Sequence, residues 1–277
     1  AEGSDSLRFN SPIFLVAKAD KSKRAVLDLR GVNKLIEPLV VNLPPINDIV
    51  ADVAGTKSQC YSKVDILSFF WQIGLAPGIW RSITPMTSPA TGEKWQYTRA
   101  PYGLKVSSGF SQLALLNTIG HLVTSRLIYV YADDIIIPTA DINGQLSILR
   151  TLFEDLRKGG LTINVRKSVF LDDHCEFLSH HIDANGYRMI PKYTTDVIRK
   201  FASPTNAKSA ARWVCFSSFY RRSIPGYAKK IGPIRALLKR DAVFQWSNEC
   251  EKIFREVNEC IISPPTLHPI DPNKPIY

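Results

Sequence analysis

Short apolar runs rich in β-favouring residues alternate along this chain with longer stretches of helical periodicity. IFLVAK and RAVLDLR flank a polar turn and predict a hairpin over residues 11–30 with basic residues at its tip. Pro45 opens and Gly55 stops a helix over 46–54. Residues 58–66 (SQCYSKVDI) alternate in part like a strand that ends in Asp65, ahead of the aromatic-rich SFFWQIGL. A second hairpin over 80–100 turns at PATG, APYG makes a sharp corner, and 107–121 reads as an amphipathic helix. In 127–138, LIYVYADDIIIP, two apolar runs flank Asp133-Asp134 and predict a hairpin with the acids at its tip. Helical periodicity over 144–158 stops at Gly159-Gly160, and 161–173 and 175–187 predict strands closed at Asn185-Gly186. From Pro191 onward the texture is helical, over 193–201, 207–221, 231–238 and 247–262. A Pro-rich tail, expected to be extended, follows.

The acid pair is the anomaly in this pattern. A two-residue hairpin turn favours Asn-Gly or Asp-Gly because its central residues need positive φ, and adjacent aspartates supply no such relief. They also hold like charges together at the end of an apolar ribbon, which opposes ionising both. A divalent cation removes that penalty by taking oxygens from both carboxylates. A polar loop that merely contains two acids is the competing reading. Asp65, an acid at a strand end before an aromatic cluster, makes sense if it stands beside Asp133 and Asp134 across a sheet.

Composition adds a partner. The 277 residues carry a net charge of +10, a polyanion-binding balance. Between residues 184 and 240 there are thirteen Lys and Arg against one acid, Asp196, so the rest of the chain is net negative. That polarisation suits a backbone-binding lobe beside an acidic reaction centre. No apolar run approaches the ~20 residues of a membrane span, so no membrane partner is expected. The five cysteines are scattered and odd in number, as in reduced proteins. His174-Cys175 with His180-His181 has no common zinc spacing, and a strand pair explains it. No Gly-rich phosphate loop is present.

Taken in order, SPIFLVAKAD, RAVLDLRGVNK, LPPI, KVDILSFFWQIGLAP, APYGL, YVYADD, FLSHHI and FYRRSIPGYAK resemble one family. It is the reverse transcriptases of long-terminal-repeat retrotransposons, the gypsy-like group most closely, and through them the retroviral enzymes. The likeness runs from about residue 11 to 277.

The resemblance implies an α+β fold shaped as a right hand. Fingers fall at 1–42 and 76–99, and a palm of antiparallel sheet backed by helices at 43–75 and 100–189. A helical thumb takes 190–240, and 241–277 begins a connection toward an absent RNase H domain. It implies Asp65, Asp133 and Asp134 as the catalytic carboxylates. With Ile66 they hold two Mg²⁺ ions, for which Mn²⁺ can substitute. Asp134 is the least direct ligand by that likeness. Lys18 and Arg24 would grip the incoming triphosphate, Phe70 would lie under its sugar and select against a 2′-hydroxyl, and Tyr102 would pack nearby. Leu178, Ser179 and His180 match the primer grip, with Ser179 where Gly is usual. Cys215, Phe219, Arg221, Arg222, Lys229 and Lys230 match the thumb's template–primer track, with Cys215 where Gly is typical. Ala132 stands where relatives carry Leu, Val or Met.

The activity so implied is RNA- and DNA-directed DNA synthesis, with RNA template, DNA primer, RNA/DNA hybrid and dNTPs as partners. Homodimerisation, and parentage in a polyprotein that also carries RNase H and integrase in a cytoplasmic virus-like particle, belong to the same expectation. The rival is a non-catalytic, nucleic-acid-binding scaffold subunit of an asymmetric dimer. A third reading is a domesticated nucleic-acid binder. The intact Asp65, Asp133, Asp134, Lys18 and Arg24 favour the enzyme.

Overall fold

The computed structural model describes residues 2–3, 10–17, 23–88, 90–190 and 194–269. By contact it divides into two units, Ala1–Pro45 with Cys60–Asp172, and Ile46–Gln59 with Asp173–Tyr277.

The first unit is built on a four-stranded antiparallel sheet. Its strands run Tyr129–Tyr131, Asp134–Thr139, Cys60–Asp65 and Val169–Asp172 across the sheet. Period-two alternation decides its faces. Val64, Ile66, Ile135 and Ile137 share a core with Leu115, Ile119 and Leu122 of the helix Ser107–Thr124 and with Leu149, Leu152 and Leu156 of the helix Ile142–Lys158. Each fully buried Leu or Ile contributes roughly 1.5–3 kcal/mol, so the register is firmly held. Asp65, one residue out of phase with Val64, is thereby put on the other face.

The second helix is capped as its sequence requires. The Asp141 carboxylate accepts from the Gly144 N–H at 2.8 Å, and the helix ends at Gly159. Before the sheet, Ile13–Ala17 pairs with Lys23–Leu27, Ala17 opposite Lys23, as the first predicted hairpin requires. Its tip, with Lys18, lies outside the described residues. The second predicted hairpin is shorter than expected: only Pro85–Thr87 and Lys94–Gln96 pair, and Ile79–Ser82 is a helical turn.

The second unit carries a three-stranded antiparallel sheet, His174–Phe177, His180–Asp183 and Gly186–Met189, against which the helix Ile46–Gly55 packs. Its helical part is organised by Trp213 of Ala207–Ser218. The indole is fully buried, meets the Phe254 ring at 5.2 Å and donates to Asn258 Oδ1 at 2.9 Å. Asn206 and Ser209 close a capping box at the start of that helix, and Ser247 caps Asn248–Ile262 through the Cys250 N–H. The predicted helix over 231–238 appears as two short ones, Tyr227–Lys230 and Gly232–Ala236. Residues 46–59 and 173–189, which the resemblance implies as palm, group by contact with the helices that follow residue 194. Among the described residues no helix is long and apolar enough to cross a membrane.

Candidate active site

The acid-bearing hairpin differs in detail from its expected form. Tyr131 pairs with Asp134, so the two-residue loop is Ala132-Asp133 and Asp134 is the first residue of the returning strand. Ala132 carries the positive φ, +55°, that the turn demands. For a residue with a Cβ that conformation costs about 1 kcal/mol. The strain falls on the residue beside the acids, which spares Asp133 and Asp134 from it.

Asp65 and Asp134 are directly opposed across the sheet, which places their side chains on the same face. The Ile66 N–H donates to the Asp133 carbonyl at 3.1 Å and closes the end of the ladder. On its other side Asp65 is fixed by the segment 162–168. Its N–H donates to Ser168 Oγ at 3.1 Å, and its carbonyl accepts from the Asn164 N–H at 2.8 Å. Ile66 forms an antiparallel bridge with Ile163. Gln72 ties down the following turn: its Oε1 accepts from Thr162 N–H at 2.6 Å, while Nε2 donates to the Thr162 and Leu67 carbonyls.

The electrostatics follow from this crowding. Burial raises the Asp65 carboxyl above the ordinary carboxylate range. The Lys167 charge and a hydrogen bond from Asn164 oppose the rise, and the charges of Asp133 and Asp134 add to it. Burial also raises the Asp134 carboxyl, against the nearby Lys63 ammonium, whose Nζ lies 3.2 Å from Asp134 Oδ1.

Beside these acids lies a cavity of about 560 Å³ whose lining includes Arg24, Asp65, Ile66, Phe70, Tyr102, Asp133 and Lys167. Its aromatic wall is continuous. The Arg24 guanidinium lies 4.3 Å from the Tyr102 ring centre, a cation–π contact, and the Phe70 and Trp71 rings meet Tyr102 at 5.3 and 5.7 Å. The APYG corner explains how Tyr102 gets there. Gly103 has φ +100° and a Cβ on it would lie 2.5 Å from the Leu27 carbonyl oxygen, so only glycine allows this approach. Asn33 clamps the corner, donating to the Gly103 carbonyl and accepting from the Lys105 N–H, both at 2.8 Å.

Thus Arg24, Phe70 and Tyr102 share one cavity with Asp65, Ile66 and Asp133, whereas Asp134 is not among the residues that line it. Sequence reasoning missed Lys167, Asn164 and Ser168. Their only signal is the polar NVRKS run, and nothing local says that it lies against Asp65.

The remaining predicted residues lie in the second unit. Leu178 and Ser179 form the two-residue loop between Phe177 and His180, both at positive φ, +48° and +63°. His180 is buried with its Nδ1 2.8 Å from the Leu178 carbonyl, and burial lowers its pKa. On Ala207–Ser218 and just beyond it, Cys215 and Phe219 are exposed one turn apart. Arg221, Arg222 and Lys229 are exposed as well. Arg221 turns back to the Ser218 carbonyl at 3.3 Å, and Lys230 pairs with Glu256 at 3.5 Å. His174 and His181 stack on one face of their sheet at 4.8 Å, each against an aspartate, as the strand-pair reading requires.

Known proteins resemble this arrangement over nearly its whole length. The chain is 32% identical over 269 residues to the retrovirus-related Pol polyprotein of transposon 412 from Drosophila melanogaster, covering 94% of this chain and 21% of that protein. It is 24% identical over 265 residues to the transposon Tf2-3 polyprotein of Schizosaccharomyces pombe, covering 96% and 19%. The chain therefore spans about a fifth of the length of these relatives. A foamy viral protease–reverse transcriptase in complex with double-stranded DNA superimposes with a TM-score of 0.82, at 24% identity, over 96% of this chain and 46% of that one. The same foamy viral enzyme with an RNA/DNA hybrid gives 0.74, at 24% identity, over 95% and 35%. At such identity the likeness establishes the fold, the α+β architecture of these polymerases. The family model described as reverse transcriptase (RNA-dependent DNA polymerase) matches residues 16–182, and the chain belongs to that family.

Proposed function

We propose that this chain is the polymerase part of a retrotransposon Pol polyprotein and extends a DNA primer on an RNA or DNA template from dNTPs. The observation that carries the reading is the meeting of Asp65 and Asp133 with Arg24, Phe70 and Tyr102 around one cavity. Carboxylate and carbonyl oxygens are hard donors suited to Mg²⁺ or Mn²⁺, and the upward push on Asp65 by burial and by Asp133 and Asp134 is relieved by a cation. Asp65, Asp133 and the Ile66 carbonyl would hold that cation, with Asp134 in support. When bound, a pair of Mg²⁺ ions supplies activation of a primer 3′-hydroxyl and neutralisation of the departing pyrophosphate.

The chain's own groups do the positioning. Arg24 offers a fixed positive charge to the triphosphate, and Tyr102 holds that guanidinium in place by its ring face. Phe70, held against Tyr102, presents a flat surface to the sugar and leaves little room for a 2′-hydroxyl. Lys167 adds a second cation at the cavity wall. Little covalent chemistry is required of the protein, so placement and charge set the rate. Leu178, Ser179 and His180 would meet the primer. Cys215, Phe219, Arg221, Arg222 and Lys229 would follow the duplex, giving sequence-independent, salt-sensitive affinity. Fingers, palm and thumb are assigned to the segments read from sequence.

Primer extension on an RNA template with Mg²⁺ and dNTPs tests the reading, wild type against Asp133→Asn. Extension by the wild type and its loss in the variant is the expected result. Two inactive proteins that bind template–primer equally well would replace it with the scaffold reading.

A further inference from the structure

Asp134 and Lys63 sit on the face of the sheet opposite to the one that packs on the helices Ser107–Thr124 and Ile142–Lys158. Lys63 is two residues before Asp65 on the same strand and points to the same side, diagonally across from Asp134. Their charged ends are 3.2 Å apart, and both side chains are about three-quarters buried, at 23% and 25% exposure. A pair so shielded is much less screened than a surface one. Asp65 and Asp133 line the nucleotide-sized cavity, while Asp134, although opposite Asp65 in register, is not part of its lining.

We propose that Lys63 is the positioning residue of the acid cluster: its ammonium holds Asp134 away from the cation, so that Asp65 and Asp133 form the primary metal set. Two consequences follow from charge alone. The cluster presents two available carboxylates instead of three, which limits how tightly a divalent ion is held between turnovers. The lysine also anchors the first residue of the returning strand, directly after the strained Ala132-Asp133 loop, and so fixes where Asp133 points. The inference rests on the polymerase reading in one respect, that Asp65 and Asp133 are the cation's ligands.

The test is Mn²⁺ binding to the full 277-residue chain without nucleic acid or dNTP, followed by the electron paramagnetic resonance of free Mn²⁺. Lys63→Met removes the charge and keeps the stem. It should release Asp134 and tighten Mn²⁺ binding about tenfold, or 1.4 kcal/mol. Asp134→Asn alone should bind within about twofold of wild type, and Lys63→Met/Asp134→Asn should return to the wild-type value. Lys63→Arg, which keeps the charge, should also stay near wild type. Unchanged affinity in Lys63→Met, or a gain that persists in the double variant, overturns the proposal. Circular dichroism melting identifies a misfolded Lys63→Met, and Asp134→Asn then decides alone: a tenfold loss would make Asp134 a primary ligand. Wild-type primer extension is read separately. An inactive wild type with the expected Mn²⁺ pattern sinks the polymerase reading, while an active one with a flat pattern sinks only the role of Lys63.

Discussion

Two hairpins with the same loop length do opposite things with their strain and their titrating groups. In the first, Tyr131 and Asp134 bracket Ala132-Asp133, and only Ala132 has positive φ. In the second, Phe177 and His180 bracket Leu178-Ser179, and both have positive φ, the signature of a type I′ turn. The first spends one strained alanine beside an acid cluster in which burial pushes the Asp65 and Asp134 carboxyls above the ordinary carboxylate range. The second strains two residues and buries a neutral imidazole against its own loop carbonyl. The acid-bearing hairpin thus concentrates its penalty in charge, and the second concentrates it in backbone.

The largest contrast is chemical. Asp65→Asn should reduce extension by roughly a thousandfold or more, since oxygen ligands and charge are lost together. Ser179→Ala should leave the rate at saturating template–primer within about twofold. Single-turnover kinetics would measure both, and a comparable rate loss at Ser179 would erase the distinction.

The pH dependences should run in opposite directions. Asp65 binds its proton more tightly folded than unfolded, because burial raises its pKa. Its contribution to stability is present below the ordinary value of 3.8 and is lost as pH rises through the folded value. Asp65→Asn should therefore be more stable than wild type at pH 7, and should lose that advantage in acid. His180 has its pKa lowered, so its contribution is present above the ordinary 6.5 and is lost as pH falls through the folded value. His180→Gln should flatten the stability profile just below pH 6.5. Urea unfolding at a series of pH values measures both, and parallel slopes for wild type and each variant would refute the assignment.

Smaller effects sharpen the backbone half of the comparison. Ala132→Val places a β-branched residue at positive φ and should destabilise by about 1–2 kcal/mol. Ser179→Gly should gain up to about 1 kcal/mol by removing the steric cost at +63°. Thermal melts would show it, and a loss at Ser179→Gly would mean that its hydroxyl repays the strain.

The elements were largely legible because each has a local cause. Asp141 caps the helix after the acid hairpin, Asn206 and Ser247 cap two helices of the second unit, and Gly159-Gly160 stops a helix where the sequence says it should. The alternation in KVD puts Asp65 out of phase with the core, and Asp134 stands opposite it at the end of an apolar run, which is why the strand ends could be read as chemistry. The acid hairpin turns a residue earlier than its sequence suggests, and the turn at Leu178-Ser179 falls inside a stretch, 175–187, that reads as strand; in both the strain falls on an unlikely residue type. Ala132 and Leu178 are residues that no turn preference selects, and packing of the flanking strands forces them to positive φ.

What the sequence determined by itself was the family, the order of the elements, and the short list of acids, cations and aromatics with a possible role in catalysis. Each of those rests on residues close together in the chain. What only the tertiary structure decided was which of them meet. Asn164, Lys167 and Ser168 reach Asp65 through the bridge between Ile66 and Ile163, and Arg24 reaches Tyr102 through the contact of Gly103 with Leu27. The pairing of Lys63 with Asp134 belongs to the same class, because it depends on register between positions 71 apart in the chain. Those pairings are fixed by the burial of a shared core, and no local run of residues encodes that.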